Sequence, residues 1–317
     1  MLQTNWQCVH TLHRHSCSVT SVVITPDGQT VVSGSADSTI KLWNLNTGQE
    51  ITTFAGHSHG VTSIAISPDG QTLASGSKDT TIKLWNLSTK EEIYTIVGDS
   101  NMITSVAISP DGKTLASACE GTTIKLWNVS NGEEIRTLKW PVEVYYGFDI
   151  LFSLDGEILL SSNADDYVSL SAVAFNLTTG DEIWTKNWKE GMDSVFALAV
   201  RPDGATFATL DCAGTIKLWN LDTGTEIYTL AENSMGSFCL AVSRDGKIIA
   251  TGGSDCENAD YDSEPGTIEL WNLEAREKIC SLLGHSWGVY SVAFSADGQT
   301  LVSGSDDSTV KIWQRDL

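Results

Sequence analysis

The sequence is poor in basic side chains: 19 Lys and Arg stand against 40 Asp and Glu, a formal net charge of −21 over 317 residues. A surface of that sign repels phosphate backbones and anionic headgroups, so neither nucleic acid nor a membrane is an expected partner. No apolar run approaches the roughly 20 residues that a bilayer-spanning helix needs. The opening Met1-Leu2-Gln3-Thr4-Asn5 has neither the basic nor the apolar region of a secretory signal, which points to the cytoplasm. The seven cysteines (8, 17, 119, 212, 239, 256 and 280) form no CxxC pair, and their odd number leaves at least one unpaired within the chain. Reduced, mostly buried thiols are the expectation. None of these absences limits the core. A chain of this size buries about 75% of its unfolded surface, so it requires no disulfide, metal or cofactor to hold together.

What the sequence has in abundance is repetition. TIKLWN occurs at 39–44, 81–86, 123–128 and 215–220, followed by TIELWN at 267–272 and TVKIWQ at 309–314. A degenerate copy reads Phe175-Asn176-Leu177-Thr178-Thr179-Gly180 where others read WNLxTG. Anchored on Trp43, Trp85, Trp127, Phe175, Trp219, Trp271 and Trp313, the spacings are 42, 42, 48, 44, 52 and 42, which defines seven units. The second unit shows the internal plan. An apolar-rich strand at 61–67 meets a Pro68-Asp69-Gly70 turn, strands follow at 72–77 and 81–86, and Ser88-Thr89-Lys90 turns the chain into a fourth at 91–97. Such a sheet cannot cover both of its faces, so its neighbours must.

With these residues in view, the chain resembles the WD-repeat (WD40) β-propellers over essentially its whole length. The matching marks are Gly56-His57, Gly284-His285, the SPDG-type turns, Ser-Gly-Ser before an Asp, and the terminal Trp, here followed by Asn where the family has Asp. The resemblance implies an all-β, closed seven-bladed propeller of four-stranded antiparallel blades, with residues 1–317 forming one domain. The chain ends support closure separately. Only four residues follow Trp313, so the last unit lacks a fourth strand, and shifting the second unit's fourth strand back by 42 residues places Trp6–Leu12 in the gap.

In the family a His, a Ser or Thr, an Asp and the Trp form a buried hydrogen-bonded tetrad. Three units match it: His15, Ser33, Asp37 and Trp43; His57, Ser75, Asp79 and Trp85; His285, Ser303, Asp307 and Trp313. Ser, His and Asp invite comparison with a nucleophile triad, yet three copies around a ring serve a need every blade shares, whereas catalysis requires one exposed nucleophile. His10, His13 and His59 are left for solvated or satisfied roles. In units three to six the His position holds Asp99, Glu143, Gly191 and Asn233, and the Asp position holds Gly121 in unit three and Ala213 in unit five. Those blades lose cross-bracing and should be softer.

Two insertions break the rhythm. Unit four gains four residues between Asp165 and Phe175, so either its hairpin is longer or Ser171 takes the Trp place. Unit six gains ten residues after Asp255, and Asp255 to Glu264 holds five carboxylates, among them Asp260, Asp262 and Glu264 at alternate positions. By resemblance this loop projects from the top face, which also carries the His-bearing loops. A calcium or enzymatic site built on 255–264 is the alternative reading, weakened by the missing glycine of a helix-flanked calcium loop. Acidity concentrates in the same region: residues 1–140 carry 9 basic and 12 acidic side chains, 141–280 carry 8 and 24, and 281–317 carry 2 and 4. Aromatics are skewed as well. Five residues after the His position stand Thr20, Thr62, Thr104, Phe148, Phe196, Phe238 and Tyr290, and two after it stand Cys17, His59, Asn101, Tyr145, Asp193, Met235 and Trp287. Inward packing accounts for such aromatics as readily as a hot-spot patch does. The functional expectation is a monomeric, non-catalytic scaffold or adaptor. Its top face near units four to seven, through Tyr145, Phe148, Phe196, Phe238, Trp287, Tyr290 and the acidic loop, would hold a protein or peptide of basic or mixed surface.

Overall fold

The structure, a computed structural model, describes residues 5–98, 101–144, 148–163, 171–187, 195–211, 214–231, 236–254 and 265–316, with the backbone alone at 122, 141–144, 148, 163, 171, 187, 196 and 237. Among them are twenty-eight strands in seven four-stranded antiparallel sheets. No helix there is long and apolar enough to cross a membrane. Six sheets take their strands in chain order, from innermost to outermost. The seventh joins Val289–Phe294, Thr300–Ser305 and Val310–Arg315 to Trp6–Leu12, so the two ends of the chain share a blade. Trp6 pairs with Arg315 and Leu12 with Val310. Counted from Val19, the blades are numbered one to seven, and the inner strands of the first six begin at Val19, Val61, Ile103, Phe148, Val195 and Gly236.

Burial follows from this arrangement. Trp43 of blade one packs with Val302, Val310 and Ile312 of blade seven and Leu12 of the closing strand. Phe54 of blade one stacks on Trp85 of blade two with centroids 5.0 Å apart. Near the axis the blades meet where a side chain is missing. A Cβ on Gly34 would lie 2.8 Å from Val61 Cγ1, and one on Gly304 would lie 2.6 Å from Val19 Cγ1. Ser-Gly-Ser therefore records how closely consecutive sheets approach, besides supplying the hydroxyls used below.

Two bulges recur. In six blades the pairing of the inner strand skips one residue (Thr20, Thr62, Thr104, Phe196, Phe238 and Tyr290), whereas blade four pairs Phe148 with Asn163 without a break. The aromatic column of the sequence is thus a column of bulge residues, with Phe148 as its exception. Every outer strand also skips a residue beside the Trp anchor. The skipped residues include Val9, Ile51, Ile93, Ile135, Ile183 and Ile227, all exposed. These apolar side chains stand singly around the rim, and the bulges interrupt the edges that could template another strand.

In blade four Phe175 pairs with Leu159 as Trp43 pairs with Val31, so Phe175, not Ser171, takes the anchor place; residues 164–170, which precede Ser171, lie outside the described residues. The expectation of mostly buried thiols needs correction. Of the described cysteines, Cys119 and Cys239 are buried and Cys280 is intermediate, but Cys8 and Cys17 are exposed. Cys8 lies on the outermost strand of blade seven and Cys17 on the loop entering blade one, places where no neighbouring sheet covers them.

Because Trp6 and Leu12 are both buried, replacing the two with Ala removes the apolar contacts of the closing strand. We expect the double variant to lose about 5 kcal/mol in urea unfolding; a wild-type midpoint would show that this strand does not hold the ring.

Candidate functional site

Three blades carry the complete polar brace. In blade one His15 Nδ1 lies 2.8 Å from Asp37 Oδ2, His15 Nε2 lies 2.8 Å from Ser33 Oγ, and Trp43 Nε1 donates to the same Oγ at 2.9 Å. Blade two repeats this with His57, Asp79, Ser75 and Trp85 at 2.9, 2.8 and 2.9 Å. Blade seven does so with His285, Asp307, Ser303 and Trp313 at 2.9, 2.7 and 2.9 Å. The indole can only donate, so the serine oxygen accepts from it and gives its own proton to Nε2; the other ring nitrogen then donates to the carboxylate. The carboxylates are further engaged. Asp79 accepts from the backbone N–H groups of Ser58 and Thr81 and from the Thr81 hydroxyl. Burial works against ionisation of Asp37, Asp79 and Asp307, yet these hydrogen bonds hold all three below the usual carboxylate range, Asp79 at about 2. Burial also lowers the His57 and His285 imidazoles, against the pull of their aspartates. Ser33, Ser75 and Ser303 are 0% exposed. A hydroxyl saturated on both sides and shut from solvent binds strands together and has no access to a substrate.

The other blades keep parts of the brace. Trp127 donates to Ser117 at 2.8 Å and Trp219 to Thr209 at 2.9 Å. In blade four Ser161 Oγ is buried without a partner, opposite an anchor that is Phe and has no N–H. In blade six Thr251 Oγ1, Trp271 Nε1 and Glu269 Oε2 are all buried and unpartnered. Blade six also inverts a charge pair. Lys41, Lys83, Lys125 and Lys217 reach Glu50, Glu92, Glu134 and Glu226 at 3.3, 2.9, 3.1 and 3.3 Å, whereas here Glu269 sits at the lysine position and Lys278 at the glutamate position, still paired.

Of the residues singled out as a binding face, two are in contact in the structure. Phe238 and Tyr290, bulge residues of neighbouring inner strands, meet edge to face with centroids 5.5 Å apart. Trp287, on the loop entering blade seven, is 45% exposed and Tyr290 is 37% exposed. The Trp287 carbonyl accepts from Ser305 Oγ at 2.9 Å, which fixes this loop to the second strand of its blade. Tyr145, Asp260, Asp262 and Glu264 lie outside the described residues, as do the side chains of Phe148 and Phe196. Among the described residues no group of three or more His, Cys, Asp or Glu could hold a metal ion. Of the remaining histidines, His10 Nε2 lies 2.9 Å from the Asn46 carbonyl, and His13 and His59 are exposed.

One residue escaped the sequence reading. Around the axis, three inner strands offer a serine hydroxyl to a backbone N–H of the next: Val22 N–H donates to Ser291 Oγ at 3.0 Å, Ile64 N–H to Ser21 Oγ at 3.3 Å, and Val106 N–H to Ser63 Oγ at 3.2 Å. In blade four the equivalent place holds Asp149, whose Oδ2 accepts from Leu198 N–H at 3.2 Å and whose Oδ1 lies 3.5 Å from Ser105 Oγ. Enclosure among blades three, four and five pushes the Asp149 carboxyl up to about 6, against the lowering effect of its hydrogen bonds. Aligning the units one column beyond the Thr20 column would have exposed it.

Comparison with known proteins agrees with this geometry. Residues 3–170 match the family model described as IFT122 first beta-propeller, and residues 224–257 and 276–314 match WD domain, G-beta repeat. The chain belongs to the WD40 β-propeller family. It is similar to the small ribosomal subunit protein RACK1 of Schizosaccharomyces pombe, 31% identical over 38% of this chain and 37% of that protein. The apoptotic protease-activating factor 1 of Mus musculus is 28% identical over 51% of this chain and 13% of its own length. WD repeat-containing protein 1 of Xenopus tropicalis is 36% identical over 27% and 13%. The aligned part is therefore well under half of each of these relatives.

Two measurements test the polar groups. His57→Ala leaves Ser75 and Asp79 short of a partner and should cost roughly 1–3 kcal/mol, whereas Thr251→Val in blade six removes an already unpartnered hydroxyl and should be neutral or stabilising in the same denaturant series. An equal loss in both would contradict the brace. For Asp149 the folded state favours the neutral acid, so the stability it allows is greatest below about pH 4 and declines as pH rises toward 6, where the carboxyl ionises in the fold. Asp149→Asn should therefore gain about 2 kcal/mol at pH 8 and almost nothing at pH 4; a pH-independent difference would count against a strained carboxylate.

Proposed function

We propose that the chain is a non-catalytic interaction scaffold whose top face, around blades six and seven, holds a protein or peptide of basic or mixed surface. The observation that carries this reading is the edge-to-face pair of Phe238 and the partly exposed Tyr290, with the exposed Trp287 three residues before Tyr290 in the chain. Aromatic side chains that are half exposed, rigidly seated and grouped supply most of the energy of protein interfaces at little entropic cost. The surplus of acidic over basic residues in 141–280, 24 against 8, favours a basic partner and disfavours a polyanion. The saturated Ser-His-Asp groups support the absence of catalysis. The cytoplasm suits a chain with exposed free thiols such as Cys8 and Cys17.

Affinity capture tests it. Trp287→Ala or Tyr290→Ala should weaken partner capture by about 2 kcal/mol or more with little change in the thermal midpoint. Undiminished capture by both variants would move the partner to another face.

A further inference from the structure

The end of the ring opposite the His-bearing loops has a cleft of about 430 Å³ where blades seven and one meet, lined among others by Asp27, Gln29, Asp297, Gln299, Gln314 and Arg315. Its volume is in the range of small-molecule sites. Arg315 is the departure from the repeat that makes it unusual. The residue two after the anchor is Leu45, Leu87, Val129, Leu177, Leu221 and Leu273 in the other six units. The backbone does the same work in each case: Leu45 N–H donates to the Gln29 carbonyl at 2.9 Å and Arg315 N–H to the Gln299 carbonyl at 3.0 Å. Only the side chain has changed, from an apolar seal to a cation. Among the described residues the guanidinium has no ion pair and no hydrogen bond, although two carboxylates line the same cleft.

Those carboxylates are half committed. Asp27 Oδ1 accepts from Thr25 Oγ1 at 2.6 Å and Gln29 N–H at 3.0 Å, and Asp297 Oδ1 accepts from Ser295 Oγ at 2.5 Å and Gln299 N–H at 3.0 Å. The turns use one oxygen of each and leave Oδ2 toward solvent. The hydroxyl and backbone donors keep both carboxyls below the ordinary range, so both stay charged at neutral pH. The cleft thus presents one unpaired cation, two anions each fixed by its own turn, and the primary amides of Gln29, Gln299 and Gln314. The complement of that set is a small molecule with one carboxylate and two cationic groups.

We propose that this cleft binds a free basic amino acid, its α-carboxylate on Arg315 and its two cationic groups toward Asp27 and Asp297, with the glutamine amides completing the polar contacts. The site is independent of the aromatic face at the other end of the ring, so the two readings fail separately. Titration calorimetry with L-lysine and L-arginine should give saturable binding with a Kd of about 1 mM or tighter. Cadaverine, which lacks the carboxylate, and norleucine, which lacks the second cation, should each bind at least about tenfold more weakly. Arg315→Leu restores the residue type of the other units and should keep the wild-type melt while weakening L-lysine at least about tenfold. Asp297→Asn keeps the turn acceptor and should weaken it as well. A Lys-terminated peptide blocked at its amino end carries one cation fewer and should bind more weakly than the free amino acid. The proposal is overturned if neither amino acid saturates, if Arg315→Leu binds as wild type does, or if cadaverine, norleucine or the blocked peptide matches L-lysine.

Discussion

A small twisted sheet with two apolar faces has no stable existence alone, and everything in this molecule follows from covering those faces with copies of the same sheet. The wedge is tightest at the axis, where Gly34, Gly76, Gly252 and Gly304 let the inner strand of the next blade approach until any added Cβ would collide, at 2.8, 2.5, 2.7 and 2.6 Å. It widens outward to the Trp anchors, whose bulk fills the growing gap. Such a circle must also close. Both apolar ends of the pile of sheets would otherwise face water, and the Trp6–Leu12 strand prevents this by hydrogen bonding to Val310–Arg315.

Close approach of backbones creates a polar problem that the side chains solve. Inward-facing N–H groups of the inner strands have no ladder partner, and Ser291, Ser21 and Ser63 accept from three of them. Farther out, the buried indole N–H of an anchor needs an acceptor, which is why Ser33, Ser75 and Ser303 stand opposite Trp43, Trp85 and Trp313 and why a histidine then satisfies the serine. A constellation that looks like catalytic machinery on paper is therefore a consequence of burying tryptophan. Blade four gives the converse: with Phe175 as anchor, Ser161 keeps its hydroxyl but has nothing to receive.

The repeat made most of this legible. TIKLWN fixed the third strand and the anchor, the Asp-Gly turns fixed the hairpins, and the shortfall after Trp313 located the closing strand at its observed limits, Trp6–Leu12. Local rules sufficed because each unit repeats them. What stayed hidden depends on pairing between strands. The bulges that set Thr20, Phe238 and Tyr290 apart are properties of two strands at once, and the shift that makes Ile51 a rim residue appears only when Trp43 pairs with Glu50. Asp149 was hidden for another reason: a carboxylate on an alternating strand reads as a solvated residue until the curvature of the ring brings blades three and five against it. Of the expected binding face, Phe238 and Tyr290 stand in one column of the repeat, but the contact between them joins residues 52 apart in the chain.

The braces are distributed unevenly, and that bears on recognition. Blades seven, one and two are contiguous and carry all three complete tetrads, while blade six has three buried polar atoms without partners. Uncompensated groups of this kind cost about 1–3 kcal/mol each, so local opening should require less free energy on the unbraced side of the ring. The aromatic group straddles this boundary: Trp287 and Tyr290 belong to braced blade seven and Phe238 to unbraced blade six. A partner seated there would have two rigid anchors and a third side chain on a sheet that can adjust around it, which lowers the ordering cost of binding without giving up shape. The cleft around Arg315 occupies the opposite end of the seam between blades seven and one, where both neighbours are braced. A site in that position would hold the Asp27 and Asp297 carboxylates, each fixed by its own turn, in place for a ligand's cationic groups.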